Sequence, residues 1–318
     1  MLLQQYGSHE YLEPCEIQKP VCSDKNVIVK IKACSINSWD NEIIKASLFV
    51  NRLMFGLFKP KRKVLGCDIA GVVEEVGSKV KHIKPGDEVM ADISPYGWGG
   101  FGEYVCVPDK ALSIKPSAMS FEQASAFPQA GVLALQGLTG IAQMKEGDKL
   151  LLIGAGGGVG TFALQLAKLK GVEVTCIDTE DKFETLWLLG ADHCVDFRKD
   201  NFSLSDIKYN RIIDVKGSRK YCDYKNALAP DGICLLVGGS VRLLFEVLFR
   251  GLVTSLVSSK KIRLLIHKPN MHLSYLNELF EKGELRPVIG KLFSLDDLKQ
   301  AFEYYRHNKF VGKIVVKI

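Results

Sequence analysis

The stretch Leu150-Leu-Leu-Ile-Gly154-Ala-Gly156-Gly157-Gly158-Val-Gly160 constrains this chain more than any other. Four apolar residues run into a cluster of glycines. The segment from Thr161 to Lys170 then carries Phe162, Leu166 and Leu169 at helical spacing, with Ala163 and Ala167 small enough for close packing. The apolar run reads as a buried parallel strand and the glycines as the tight turn after it. A helix N-terminus presented by such a turn is an anion site, because free backbone N–H groups and the positive end of the helix dipole point the same way. Gly154, Gly157, Gly158, Val159 and Gly160 are therefore the candidate phosphate cradle of a dinucleotide site. The spacing departs from the strict G-x-G-x-x-G, since the frame ending at Gly160 begins with Ala155. Taken alone, the turn also admits a purely structural strand–turn–helix.

At 318 residues the chain has room for two domains, and 47% hydrophobic with 25% charged residues describes an ordinary soluble globular protein. Net charge is 42 − 36 = +6. The densest basic run, Lys59-Pro-Lys-Arg-Lys63, has no interleaved aromatics and reads as a solvated loop, so neither a nucleic acid nor a membrane is expected as a partner. Nine scattered cysteines with no C-x-x-C pair point to reduced thiols rather than a disulfide framework. The opening Met-Leu-Leu-Gln-Gln-Tyr-Gly lacks the layout of a signal peptide. The most apolar stretch, Val241 to Val257, is interrupted by Arg242, Glu246 and Arg250. These features together predict a cytoplasmic protein.

Along the chain, Val-Ile-Val-Lys-Ile-Lys-Ala from residue 27 alternates like a strand, and further short β-rich pieces follow at 69–76, 87–91 and 103–107. Turn signals such as Lys84-Pro-Gly-Asp87 separate them, which suggests a compact barrel-like domain. Residues 37–63 read as an irregular segment whose apolar patch, Leu48 to Phe58, is either core or pocket wall. Beyond Pro116, with Ser120 as an N-cap and Gln123 three residues on, strands and helices alternate strictly. Short apolar strands at 150–153, 172–177, 193–197, 211–214, 233–237 and 261–265 predict a doubly wound parallel sheet. Ligands of such sheets sit at the carboxyl ends of the strands. The last thirty or so residues read as β-like and are expected to return to the first domain.

The order of these pieces resembles the zinc-independent medium-chain dehydrogenase/reductase family, in its quinone oxidoreductase (zeta-crystallin-like) branch. The matching stretches are Ala33–Asp40, Leu65–Gly77, Lys84–Val89, Gly99–Val105, Ala130–Leu138, Gly154–Gly160, Leu189–Asp192 and Gly312–Val315. The resemblance implies an α/β fold, a Rossmann doubly wound parallel sheet (residues 117–285) plus a GroES-like β-barrel domain completed by the C-terminus (1–116 with 286–318). It also implies a homodimer. Where zinc-using relatives carry a cysteine, a His-Glu pair and a later cysteine, this chain has Asn37, Cys67-Asp68 and no cysteine between Phe127 and Leu138. Zinc needs three or four converging ligands, so no metal is expected.

The second strand of the sheet ends at Asp178, 178 − 160 = 18 residues past the last glycine of the turn. An acid there accepts hydrogen bonds from ribose hydroxyls and repels a 2′-phosphate. Asp178-Thr-Glu-Asp181 offers three carboxylates against one nearby cation, Lys182. The residues thus favour NADH, whereas the family inclines to NADPH. Asp178 as the cap of the following helix is an equally open reading.

Without a metal to stabilise an alkoxide, the expected substrates are already electrophilic: quinones, or carbon–carbon double bonds conjugated to a carbonyl. The resemblance places Asn37 and Asp40 at the mouth of the pocket, Val237, Gly238 and Gly239 close to the cofactor, and Lys313 near it. Asn37 is a candidate amide donor to developing charge, Lys45 a weaker cationic one, and Asp40 is expected to hold a loop more than to act as an acid. Tyr96 and Trp98 are candidate pocket walls. Two alternatives stay open: an alcohol or aldehyde dehydrogenase-reductase, and a non-catalytic NAD(P)H-binding protein.

Overall fold

The strands of the N-terminal region form because β-branched residues alternate with polar ones between turns, and the first pair is β1 (Leu2–Leu3) with β2 (Leu12–Glu13). A computed structural model describes every residue of the chain except 47–51, 54, 62, 140–142, 201 and 203–205. Contacts divide the chain into two compact units, Met1–Gln129 with Pro269–Glu281 and Pro287–Ile318, and Ala130–Lys268 with Lys282–Arg286.

The first unit is organised on the ten-residue strand β3 (Asn26–Ser35). Its first half pairs antiparallel with β6 (Tyr104–Pro108) and its length pairs with β4 (Asp68–Val76). β5 (Glu88–Asp92) continues from β4 and β7 (Ser113–Ile114) from β5. The end of the chain returns to this sheet: β15 (Lys313–Lys317) pairs antiparallel with the last residues of β3, and β14 (Ile289–Ser294) pairs parallel with β15. Val27, Val29, Ile31, Ile69, Val73, Val89, Val107 and Phe101 fill the interior. Each such side chain contributes about 1.5–3 kcal/mol on leaving water.

Two segments differ from their sequence reading. Residues 37–63, expected to be irregular, contain helix α1 (Ser38–Lys45). Asp40 in its first turn accepts from the Asn37 main-chain N–H, and Ile43 and Ile44 are buried together in the core. The last thirty residues are not uniformly β either. A helix over Leu298–His307 lies between β14 and β15, with Leu298, Ala301 and Phe302 buried at helical spacing. Much of the Leu48–Phe58 patch lies outside the described residues.

Ser120 does cap a short helix, α2 (Phe121–Ser125): its hydroxyl accepts from the Gln123 N–H, and the Gln123 side chain accepts from the Ser120 N–H. Helix α3 (Pro128–Thr139) follows. The second unit then holds six strands in the order β10-β9-β8-β11-β12-β13, every pair parallel. They are β8 (Lys149–Ile153), β9 (Glu173–Asp178), β10 (His193–Asp196), β11 (Tyr209–Asp214), β12 (Leu228–Leu236) and β13 (Lys261–Leu264). This is the strand order of the doubly wound dinucleotide fold. In register, Ile153 lies beside both Ile177 and Asp214, and Asp214 beside Leu236. The turns that follow β8, β9, β11 and β12 therefore leave the sheet along one edge.

Gly71 lies opposite Ile31 in the β3–β4 pairing, and a Cβ there would lie 2.3 Å from the Lys30 carbonyl oxygen. Gly71→Ala is expected to lower the unfolding free energy by about 2 kcal/mol or more, seen as a lower denaturant midpoint. A midpoint equal to that of the parent chain would mean the sheet accommodates the methyl by sliding.

Candidate active site

The candidate site is built in two places, one in each unit. In the first unit it begins at the junction of β3 and α1. The Asn37 side chain is buried, its Nδ2 donating to Asp68 Oδ2 at 3.0 Å, to the Ser35 carbonyl at 3.4 Å and towards Cys67 Sγ at 3.4 Å. Its Oδ1 accepts a short hydrogen bond from Lys313 Nζ. That orientation is forced, because an ammonium only donates and a carboxylate only accepts. Lys313, which opens β15, also lies 3.4 Å from Asp68 Oδ2. Asp68, which opens β4, accepts on its other oxygen from the Gln129 N–H at 3.0 Å, in the first turn of α3, where a carboxylate meets the positive end of the helix. Gln129 Nε2 in turn approaches Cys67 Sγ at 3.5 Å.

Asn37, Cys67, Asp68, Gln129 and Lys313 thus converge on one dry cluster. Burial pushes the Asp68 carboxyl up from its ordinary range, and the Lys313 ammonium is the chief influence drawing it back down. Burial, reinforced by the Asp92 and Asp68 charges, holds the Cys67 thiol well above its usual value. Asp40 is fully buried beside the cluster, its two oxygens accepting from the Asn37 N–H at 2.8 Å and the Gly66 N–H at 2.9 Å. Burial raises its carboxyl to about 7 in spite of those donors. Lys45 stands apart, exposed at the far end of α1, roughly two turns beyond Asn37. Next to this region, Trp98 stacks on Trp39 with centroids 6.1 Å apart and meets Phe55 edge-on at 6.3 Å.

In the second unit the glycine turn has the geometry expected of a phosphate cradle. Helix α4 (Gly158–Lys168) starts directly after it with Gly157 as N-cap, so the amides of Gly158, Val159 and Gly160 head a helix. Gly157, Gly158 and Val159 are part-exposed, while Gly154 and Gly160 are buried. Gly154 has φ +82°, and a Cβ on Gly160 would lie 2.4 Å from the Ala155 carbonyl oxygen. Those residues fit a dinucleotide pyrophosphate.

Asp178, at the end of β9, accepts from the Gly156 N–H at 2.8 Å and the Thr179 N–H at 2.9 Å, and pairs with Lys182 at 2.9 Å. Lys182 and Asp178 are both buried. Lys182 is not the sole cation here: Lys216, in the turn after β11, packs its side chain against Gly154, and partial desolvation together with the Lys182 charge lowers its pKa. Its position was invisible in the sequence because it reaches the turn from a strand some sixty residues away. The Asp214 carboxylate fixes that turn by accepting from the Lys216 and Gly217 N–H groups and from Tyr224 Oη. Val237–Gly239 leaves β12 beside it, where a Cβ on Gly217 would strike the Gly238 oxygen at 2.3 Å.

Residues 23–117 match the family described as alcohol dehydrogenase GroES-like domain, and 189–316 the family described as zinc-binding dehydrogenase. The chain is 33% identical to a 2-methylene-furan-3-one reductase of Solanum lycopersicum, covering 98% of this chain and 76% of that protein. It is 31% identical to a chloroplastic quinone-oxidoreductase of Triphysaria versicolor, covering 98% and 95%. Among solved structures, the quinone oxidoreductase from Coxiella burnetii superposes with a TM-score of 0.87 at 28% identity, covering 100% of this chain and 98% of that one. The chain belongs to the medium-chain dehydrogenase/reductase family, among its quinone oxidoreductases. It is an NAD(P)H-using oxidoreductase. Among the described residues, no helix is long and apolar enough to cross a membrane.

Two outcomes are expected for Asp40→Asn. At about pH 4, where the parent carboxyl is protonated in the folded state, the asparagine offers one acceptor where the carboxyl serves two N–H donors, so stability falls by about 1–3 kcal/mol. The parent carboxyl titrates at about 7 when folded, against an ordinary 3.8. The stability it contributes is full below 3.8 and is lost as pH rises through 7. Denaturant midpoints of the parent should therefore decline across that window, and the variant should decline less. Identical slopes would remove Asp40 from the titration.

Proposed function

We propose that this chain transfers a hydride from the nicotinamide to the electrophilic carbon of a quinone or an α,β-unsaturated carbonyl, with no zinc ion taking part. The carrying observation is the buried cluster around Asp68. The positions that would have to hold zinc present an amide NH₂ from Asn37, a protonated thiol on Cys67 and a second amide NH₂ from Gln129, with the Lys313 ammonium against Asp68. A set of hydrogen-bond donors and an ammonium does not fit a cation.

Bound NAD(P)H supplies the hydride. The protein binds, orients and excludes water. The amides of Gly158 to Gly160 hold the pyrophosphate, and the Val237–Gly239 backbone lies at the same edge of the sheet. Asn37 has both ends of its amide engaged, so it serves as a positioning residue, as does Asp40 through the Asn37 main chain. Trp39, half exposed and stacked on the buried Trp98, provides an apolar surface suited to a planar substrate. Loss of NAD(P)H absorbance is expected with a panel of quinones and enones. Tight cofactor binding without turnover on any acceptor would turn the reading to a nucleotide-binding protein.

For the cofactor, NADH is the proposed partner, because the Asp178 carboxylate stands at the end of β9 anchored to the glycine turn by Gly156. The same geometry makes the preference reversible. Asp178→Ser removes the negative charge paired with Lys182 at the end of β9, so the NADPH-to-NADH affinity ratio is expected to rise about tenfold or more in fluorescence titrations. Parent protein that binds NADPH more tightly than NADH would refute this assignment.

A homodimer is supported by helix α5 (Val241–Val257), whose Phe245, Leu248, Phe249, Leu252, Val253 and Leu256 are all exposed, and which packs on the edge strand β13. A second copy covering that face would remove the apolar surface from water. Leu252→Glu with Phe249→Glu should yield monomers in sedimentation. The nine cysteines, all unpaired, accord with a reducing cytosol.

A further inference from the structure

The turn after β11, residues 215–217, is wedged between the glycine turn after β8 and the Val237–Gly239 segment after β12. On one side, a Cβ on Gly154 would lie 2.6 Å from Val215 Cγ2 and 3.0 Å from Lys216 Cγ. On the other, a Cβ on Gly217 would lie 2.3 Å from the Gly238 carbonyl oxygen and 2.3 Å from Gly239 Cα. Contacts this close leave no slack, so the conformation of residues 215–217 sets the spacing of the two segments that flank it. The main chain ties the same pieces together: the Val215 N–H donates to the Ile153 carbonyl at 3.1 Å, and the Val237 N–H to the Asp214 carbonyl at 2.9 Å.

One carboxylate holds that conformation. Asp214 Oδ1 accepts from the Lys216 N–H at 2.7 Å and the Gly217 N–H at 2.8 Å. Its Oδ2 accepts at 2.7 Å from the hydroxyl of Tyr224, on the helix Tyr221–Ala227. Both side chains are 0% exposed. Burial, and after it the Asp214 charge, push the Tyr224 hydroxyl well above its usual pKa, so it stays protonated and donates. A buried carboxylate keeps one orientation only while both oxygens keep their donors. We propose that Tyr224 is a positioning residue for the cofactor: through Asp214 its hydroxyl fixes the 215–217 turn, and with it the spacing between the pyrophosphate cradle and the Val237–Gly239 backbone. The proposal rests on the reading that NAD(P)H lies along the Gly154–Gly160 turn.

Tyr221, one turn earlier on the same helix, supplies a matched control. It is buried as well, and its hydroxyl donates at 2.7 Å to Thr254 Oγ1 on α5, a partner outside the turns. Tyr221→Phe and Tyr224→Phe each remove one buried hydrogen bond, so a merely structural role would move both alike. Fluorescence titration with NADH and with NADPH should show Kd rising about tenfold in Tyr224→Phe and staying at the parent value in Tyr221→Phe. With a quinone acceptor, KM for the nucleotide should rise in Tyr224→Phe while kcat at saturating nucleotide stays near the parent's. Asp214→Asn serves with the same expectation if Tyr224→Phe does not fold, as judged by circular dichroism and melting curves. Gly157→Asp tests the reading beneath the proposal. Gly157 is the N-cap of α4, its Cβ would meet the Gly154 carbonyl oxygen at an ordinary 3.4 Å, and a carboxylate there repels a pyrophosphate. Undiminished nucleotide binding by Gly157→Asp overturns that reading and the proposal with it. Binding lost in Gly157→Asp but unchanged in Tyr224→Phe overturns the proposal alone, as does equal weakening in Tyr221→Phe.

Discussion

The buried carboxylate of Asp68 is the interaction on which the first unit depends. It opens β4, receives the first turn of α3 through the Gln129 N–H, and takes hydrogen bonds or charge from Asn37 at the β3–α1 junction and Lys313 at the start of β15. One side chain therefore fixes four elements that are far apart in the chain. Burying a charge costs several kcal/mol, and it persists only where paired and hydrogen-bonded. The surrounding residues are best read as the means of keeping it, and the orientation of Asn37 follows from that.

The two units were legible in the sequence to different degrees. The parallel sheet was nearly complete there, since runs such as Leu150–Ile153 and Arg211–Asp214 are buried on both faces and bounded by turn signals. Helix α1 was missed because it is short and its start depends on Asp40 reaching back to Asn37, a local cap hidden in a polar stretch. The helix over Leu298–His307 was missed because its buried residues, Leu298, Ala301 and Phe302, are few among charged neighbours. For the site, the glycine turn and Asp178 could be found from spacing. The Lys313–Asp68 contact could not, since 245 residues separate the partners. One signal was available: each opens an apolar strand, Asp68 before Ile-Ala-Gly-Val-Val and Lys313 before Ile-Val-Val. A charge at the head of a buried strand asks for an opposite charge.

The cofactor end follows a similar rule on a smaller scale. Asp178 by itself argued from the sequence for ribose hydroxyls, yet in the fold it is ion-paired with Lys182, and both charges act on Lys216. Selectivity between two ligands is a difference of affinities, and a charge at this end of the sheet contributes to that difference while the strand framework stays as it is.

The placement of β15 has consequences for how the chain reaches its folded state. β15 lies inside its sheet, between β14 and β3, so most of that sheet is synthesised long before the strand that completes it. Until residues 313–317 leave the ribosome, the last residues of β3 lack their β15 partner and Asp68 lacks the Lys313 ammonium. The nascent N-terminal region must wait with unpaired backbone and uncompensated acid, while the parallel sheet, whose strands all lie between residues 149 and 264, can form first. Pairing of β15 with β3 is then a late, long-range event, and the ammonium beside Asp68 arrives only with it.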